Sequence, residues 1–146
     1  MFYKLYKNDY FLIFILLIFV FLNRLMEFGN PLVHIDEQFY LFGGGQILSG
    51  NFPYAQFWDR KPIGLFLLYA FFHLFGSYRV IAYQIGATFC VWATALLLFR
   101  MARTIAPRAG ALASAMLYVV WLNLAGGEGG QSPVFYNLLV AESVAL

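Results

Sequence analysis

The chain alternates long apolar runs with short polar breaks, and the breaks set out the elements. The first run, Tyr10 to Leu22, carries no charge. With Asn23, Arg24, Leu25, Met26, Glu27 and Phe28 it reaches the roughly 20 residues a membrane span needs, predicting a helix over about 9–28. That length requires Arg24 and Glu27 to sit at its far end and reach out to the interface. No small-x-small cleavage site follows, so the run reads as a retained helix and not as a removed signal peptide. Residues 29–61 are polar and aromatic and interrupted by Gly and Pro. Within them the pattern predicts a short helix over 36–49, closed by Gly50, and then the turn-rich Asn51-Phe52-Pro53-Tyr54. Pro62 suits the first turn of a further helix, over 62–75. This helix is apolar, but runs of about 10–14 residues more often lie at an interface than cross a bilayer. The next run, Val80 to Phe99, supports a span over about 79–101; Arg100, Arg103 and Arg108 follow the run, and a further span covers about 108–125. A glycine-rich loop from Gly126 to Pro133 leads to a last apolar run, 134–146, too short to cross.

Composition changes this from a list of helices into a class of protein. Hydrophobic residues make up 62% of the chain and charged residues 11%, with a mean hydropathy of +0.73. Soluble domains carry roughly 45–50% apolar and about 25% charged residues. The expectation is an all-α, polytopic transmembrane fold in which residues 1–146 form the N-terminal portion of one domain, with an outer loop 29–78 that carries two interfacial helices. The 17 Phe and 10 Tyr suit a bilayer, where Tyr and Trp favour the headgroup zone. The single Cys90 excludes a disulfide framework. A net charge of +2 is too small to point to nucleic acid.

Charge placement then selects a topology. Lys4 and Lys7 precede the first helix, and the three arginines lie between the second and third predicted spans. Basic loops stay cytoplasmic. Both basic regions share that side only if 62–75 does not cross. The loops 29–79 and 126–132 then lie together on the opposite face.

Four of the seven acidic residues fall between Glu27 and Asp59. The adjacent pair Asp36-Glu37 opens a predicted helix, where carboxylates complement the helix dipole and can cap it. At a membrane interface one of them is also able to take a proton from an acceptor hydroxyl. Neighbouring helix positions point about 100° apart, so one can face a site while the other packs, and Asp36 shares a face with Tyr40. Arg60-Lys61 has an interfacial reading, snorkelling, and a functional one, a cationic seat for a lipid phosphate at a helix N-terminus. His34 and His73 read as local structural residues. A carboxylate such as Asp36 is able to ligate a divalent metal ion, yet two adjacent acids define no site, and no His or Cys stands at zinc-ligand spacing. Gly43-Gly44-Gly45 lacks the context of a phosphate loop. Interior glycines cost a helix about 1 kcal/mol each relative to Ala, which close approach by a neighbouring helix or lipid would explain, as would fraying. Glu142 is an ionisable group in an apolar run.

The order of these residues resembles a known family. His34-Ile35-Asp36-Glu37-Gln38-Phe39-Tyr40, then Leu48-Ser49-Gly50-Asn51-Phe52-Pro53-Tyr54, then Trp58-Asp59-Arg60-Lys61-Pro62-Ile63-Gly64 look like the first outer loop of GT-C glycosyltransferases. These include protein O-mannosyltransferases, lipid A aminoarabinose transferases and transferases acting on lipopolysaccharide core. The shared pattern is an acidic pair, a Tyr three residues on, a Gly-x-x-Pro-Tyr turn and Asp-x-Lys-Pro opening a helix. Arg79 matches a basic residue common at the start of the following helix. The resemblance implies a donor sugar carried on polyprenyl phosphate, transferred with inversion to a lipid, glycan or protein acceptor. It implies Asp36 as the catalytic carboxylate and Lys61 as the contact to the carrier phosphate. Glu37 and Tyr40 would line or brace the site, and Tyr54, Asp59 and Arg60 would belong to its substrate-binding surface. It implies a multi-pass protein of the bacterial inner (plasma) membrane with its active loop periplasmic. Members often carry an acidic residue near the helix after the second outer loop; here Glu128 or Gln131 would stand in for it. Members are also much longer, so the resemblance implies a truncated form or fragment. The competing classes are a piece of a transporter and a small accessory subunit. Transporters tend to place ionisable groups at the membrane midplane in broken helices, whereas here they cluster in one loop.

Overall fold

A computed structural model describes residues 7–145; Lys4 and Leu146 lie outside them. The described residues form six α-helices and no strand, as the all-α expectation requires. They are α1 (Lys7–Asn23), α2 (Ile35–Leu48), α3 (Ile63–His73), α4 (Arg79–Ala102), α5 (Arg108–Leu124) and α6 (Ser132–Ala145). Short 3-10 turns at Leu25–Glu27 and Gly76–Tyr78 extend α1 and introduce α4. Two stretches are long and apolar enough to cross a membrane, Asp9–Glu27 and Gly76–Ala102. The 17 residues of α5 rise about 26 Å, close to the roughly 30 Å hydrocarbon core of a bilayer. The 11 residues of α3 rise only about 17 Å.

The helices assemble around α4, which packs against α1, α3, α5 and α6. Two cores result. One lies among α1, α4, α5 and α6 and is built from Leu16, Val20, Val91, Phe99 and Val119 with Ala87, Ala95, Ala111 and Ala115. Small residues at these positions let helix backbones approach closely, which is how helices associate where no hydrophobic effect drives them. The other core is aromatic and joins α2 and α3 to the start of α4 through Tyr40, Phe66, Tyr69, Phe72 and Tyr83. Phe135 of α6 packs against both. Away from these cores the helices turn Phe11, Phe14, Leu22, Phe89, Leu117 and Trp121 outward, an apolar surface suited to lipid or to further helices.

The glycine run does not break α2. A Cβ on Gly44 would lie 2.6 Å from the backbone of Tyr69 and Ala70, and one on Gly43 would lie 2.6 Å from the Phe66 ring. Of the two explanations open from sequence, close approach by a neighbouring helix is therefore the right one, and the neighbour is α3. The helix-propensity cost is offset by contact that no larger residue permits.

Arg24 overturns an expectation. It does not snorkel to the interface; it is fully buried. Its guanidinium pairs with Glu27 at 2.8 Å and donates to the carbonyls of Gly127, at 3.1 Å, and Gly129. Glu27 in turn accepts the Gly129 N–H at 2.8 Å. The physical reason is the glycine-rich loop 126–130, whose carbonyls need donors where its own backbone makes few bonds. At the other end of the bundle, the buried Asp9 meets Arg108 at 3.0 Å. The start of α1 and the arginine loop thus lie at one end, and the polar residues after α1 lie with loop 126–130 at the other.

Candidate functional site

The site residues collect where α2, α3 and α6 begin. Lys61 is the centre of the arrangement, and the chain fixes its backbone on both sides. Its N–H donates to Asp59 Oδ1 at 2.8 Å, an Asx turn of the kind Asp favours before a helix. Its carbonyl accepts from the Tyr54 hydroxyl. Tyr54 itself sits at φ 70° and donates its N–H to Phe57 at 2.6 Å, so it braces the 53–61 turn. Pro62 then caps α3 in extended conformation.

From this base the Lys61 ammonium reaches Ser132 Oγ at 2.9 Å and lies 5.9 Å from the centre of the Tyr40 ring, within range of a cation–π attraction. Tyr40 is 1% exposed, and its hydroxyl lies beside Ser132 and Asp36. Burial pushes that hydroxyl up to about 12, with the charges of Asp36 and Asp59 adding and the nearby Ser132 opposing. Asp36, Tyr40, Asp59, Lys61 and Ser132 therefore form one neighbourhood drawn from α2, the start of α6 and the turn that leads into α3. A mostly apolar groove of about 360 Å³ runs away from Lys61 and Ser132 between α3 and α6, lined by Leu65, Leu68, Phe135 and Leu139.

The two adjacent carboxylates part company, as 100° of helix rotation requires. Asp36 is half-buried beside Tyr40. Glu37 is fully buried and accepts from the Tyr83 hydroxyl at 2.8 Å. Its Oε1 makes no hydrogen bond and lies 2.1 Å from where a Gly129 Cβ would stand. Burial pushes the Glu37 carboxyl up, against the Tyr83 hydrogen bond, the nearby Gly130 amide and the charge of His34. Glu37 has no solvent exposure in this structure, a position that suits bracing. It packs against the 126–130 loop, which Tyr69 also holds through its hydroxyl to the Gly130 carbonyl at 2.7 Å.

The remaining expected residues are more dispersed. Arg60 is exposed. Glu128 is exposed on a separate cleft with Asn23, Glu27 and Asn30, which the Lys61 groove does not share. Gln131 is buried immediately before α6. No group of three or more His, Cys, Asp or Glu among the described residues is placed to hold a metal ion. Sequence reasoning missed Ser132, treating Ser132-Pro133 as loop and starting the last apolar run at Val134. The signal was there: Ser followed by Pro is a helix-opening pair. Tyr83 had no such signal, because only the fold brings α4 under Glu37.

Chemically, the neighbourhood offers an ammonium and a hydroxyl donor at the head of an apolar groove, with a carboxylate alongside. Such a set can hold a phosphate whose hydrocarbon tail lies in the groove. Comparison with protein-family models, curated proteins and solved structures found no match.

Proposed function

We propose that the chain is part of a multi-pass membrane glycosyltransferase of the GT-C type, which takes its sugar from a polyprenyl-phosphate carrier. The observation that carries this reading is the seating of Lys61 and Ser132 at the head of the α3–α6 groove, next to Asp36. The polyprenyl tail occupies the groove, and Lys61 and Ser132 bind the phosphate. An acceptor hydroxyl attacks the anomeric carbon from the face opposite the phosphate, and Asp36 takes its proton. The bond from the anomeric carbon to the phosphate oxygen breaks, and the carrier phosphate leaves with the electron pair. Lys61 and Ser132 stabilise the charge that develops there. Tyr40 and Glu37 hold the two walls in place.

The topology that supports this has α1, α4, α5 and α6 in the membrane. The Asp9–Arg108 contact sets the start of α1 beside the arginine loop, the end that the positive-inside rule makes cytoplasmic. The site then faces the periplasm. The test is transfer of labelled sugar from a polyprenyl-phosphate donor in membranes containing the intact protein. Asp36→Asn should abolish transfer with expression unchanged, and Lys61→Gln should raise KM for the carrier more than tenfold. Transfer that survives Asp36→Asn would remove the catalytic role assigned to it.

A further inference from the structure

The opposite face of α2 carries a second polar cleft that the chemistry above leaves unused. At about 100° per residue, Gln38, Phe42, Gly45 and Ser49 lie across the helix from Asp36 and Tyr40. With Gln46, His73 and Arg79 they line a cleft of about 440 Å³ between α2 and the corner joining α3 to α4. No carboxylate lines it.

Three of its polar residues have donors to offer. Arg79 is half-buried, and its side chain has no ion pair or hydrogen bond among the described residues. Gln46 Oε1 is occupied by the Asn51 amide at 2.7 Å, which leaves the Gln46 amide nitrogen as a donor. The Ser49 hydroxyl is already donated to the Gly45 carbonyl at 3.1 Å, and the Gln38 amide to the Pro31 carbonyl. The His73 ring reaches the cleft over Gly45, where a Cβ would lie 2.9 Å from Nε2. Gly45 therefore keeps space for the imidazole as well as for helix packing. A guanidinium, an imidazole and an amide N–H around an acid-free hollow make a recognition set for an oxyanion, and the planar fork of Arg favours phosphate. Phe42 lines the cleft and is exposed, as are Leu74, Phe75 and Tyr78 in the corner between His73 and Arg79, which suits a headgroup whose chains lie alongside.

We propose that this cleft is a phosphate-binding site, separate from Lys61, with Arg79 as its principal ligand and His73 and Gln46 as supporting donors. It does not depend on the role given to Lys61. The chain has only two histidines, so His73 reports on the site by NMR of the ring-labelled 146-residue protein in detergent. Dihexanoyl phosphatidic acid should shift the His73 signal saturably and leave His34 in place, while dihexanoyl phosphatidylcholine should do far less. Inorganic phosphate forms the second arm: equal affinity for it identifies free phosphate as the ligand, and much weaker affinity identifies a lipid headgroup. Arg79→Gln should weaken binding at least tenfold and Gln46→Leu several-fold, whereas Lys61→Gln should leave it unchanged. An unchanged His34 signal in each variant establishes that it folds. The proposal is overturned if neither anion moves His73 saturably, if Arg79→Gln binds as the wild type does, or if Lys61→Gln abolishes the response.

Discussion

Replacing Gly44 by alanine tests whether the α2–α3 contact holds the site together. A Cβ there would stand 2.6 Å from Ala70 N and from the Tyr69 carbonyl carbon, where ordinary contact begins near 3.4 Å. Both obstacles are backbone, so no side-chain rotation relieves them, and the helices must part by about 0.8 Å. Overpacking of this kind costs about 1–3 kcal/mol. Alanine returns about 1 kcal/mol of helix propensity, leaving a net loss of up to about 2 kcal/mol. Gly64 is the control: it lies in α3 with nothing within 4 Å of its Cβ position, so Gly64→Ala should stabilise by up to about 1 kcal/mol. Thermal unfolding of the detergent-solubilised protein, followed by tryptophan fluorescence, should show opposite shifts, at about 2–4 °C per kcal/mol. Because α2 carries Asp36 and Tyr40 while α3 follows Lys61, Gly44→Ala should also impair the site more than its stability loss alone would. A Tm for Gly44→Ala above that of the wild type, or a shift matching that of Gly64→Ala, would refute the close-packing argument.

Other expectations follow from the buried charges and the topology. Burial holds the Glu37 carboxyl above its ordinary 4.5, so its contribution favours the fold at low pH and is lost as pH rises above about 4.5 through its raised value. Glu37→Gln should remove that dependence, so its Tm relative to wild type should improve from pH 4 to pH 8; a constant difference would show that Glu37 is not buried as a neutral group. Arg24→Met leaves Glu27 without its cation and the Gly127 and Gly129 carbonyls without donors, and should cost about 3–5 kcal/mol, read as a fall in Tm or loss of folded protein on size-exclusion chromatography. In a Cys90→Ala background, Thr104→Cys and Ala55→Cys, both exposed, should react with a membrane-impermeant maleimide from opposite sides. Labelling of both from the same side would overturn the proposed topology.

Much of the architecture was legible because membrane-compatible helices write themselves locally. An apolar run between polar breaks needs no partner to be recognised, and α1, α4 and α5 begin and end within a few residues of the run boundaries. The same holds for Pro62 before α3 and for the parting of Asp36 from Glu37, since 100° of rotation belongs to any α-helix. What the chain order alone left open was which distant residues meet. Arg24 read as a snorkelling end residue because nothing in its neighbourhood announces a loop more than 100 positions away whose carbonyls it satisfies. Ser132 read as loop, yet the fold sets it 2.9 Å from Lys61. The three glycines were ambiguous between fraying and contact until α3 lay against them. Local periodicity fixes backbone conformation, but pairing across 70 or more residues is a three-dimensional outcome. It is decided by which polar groups can be satisfied together once the helices pack.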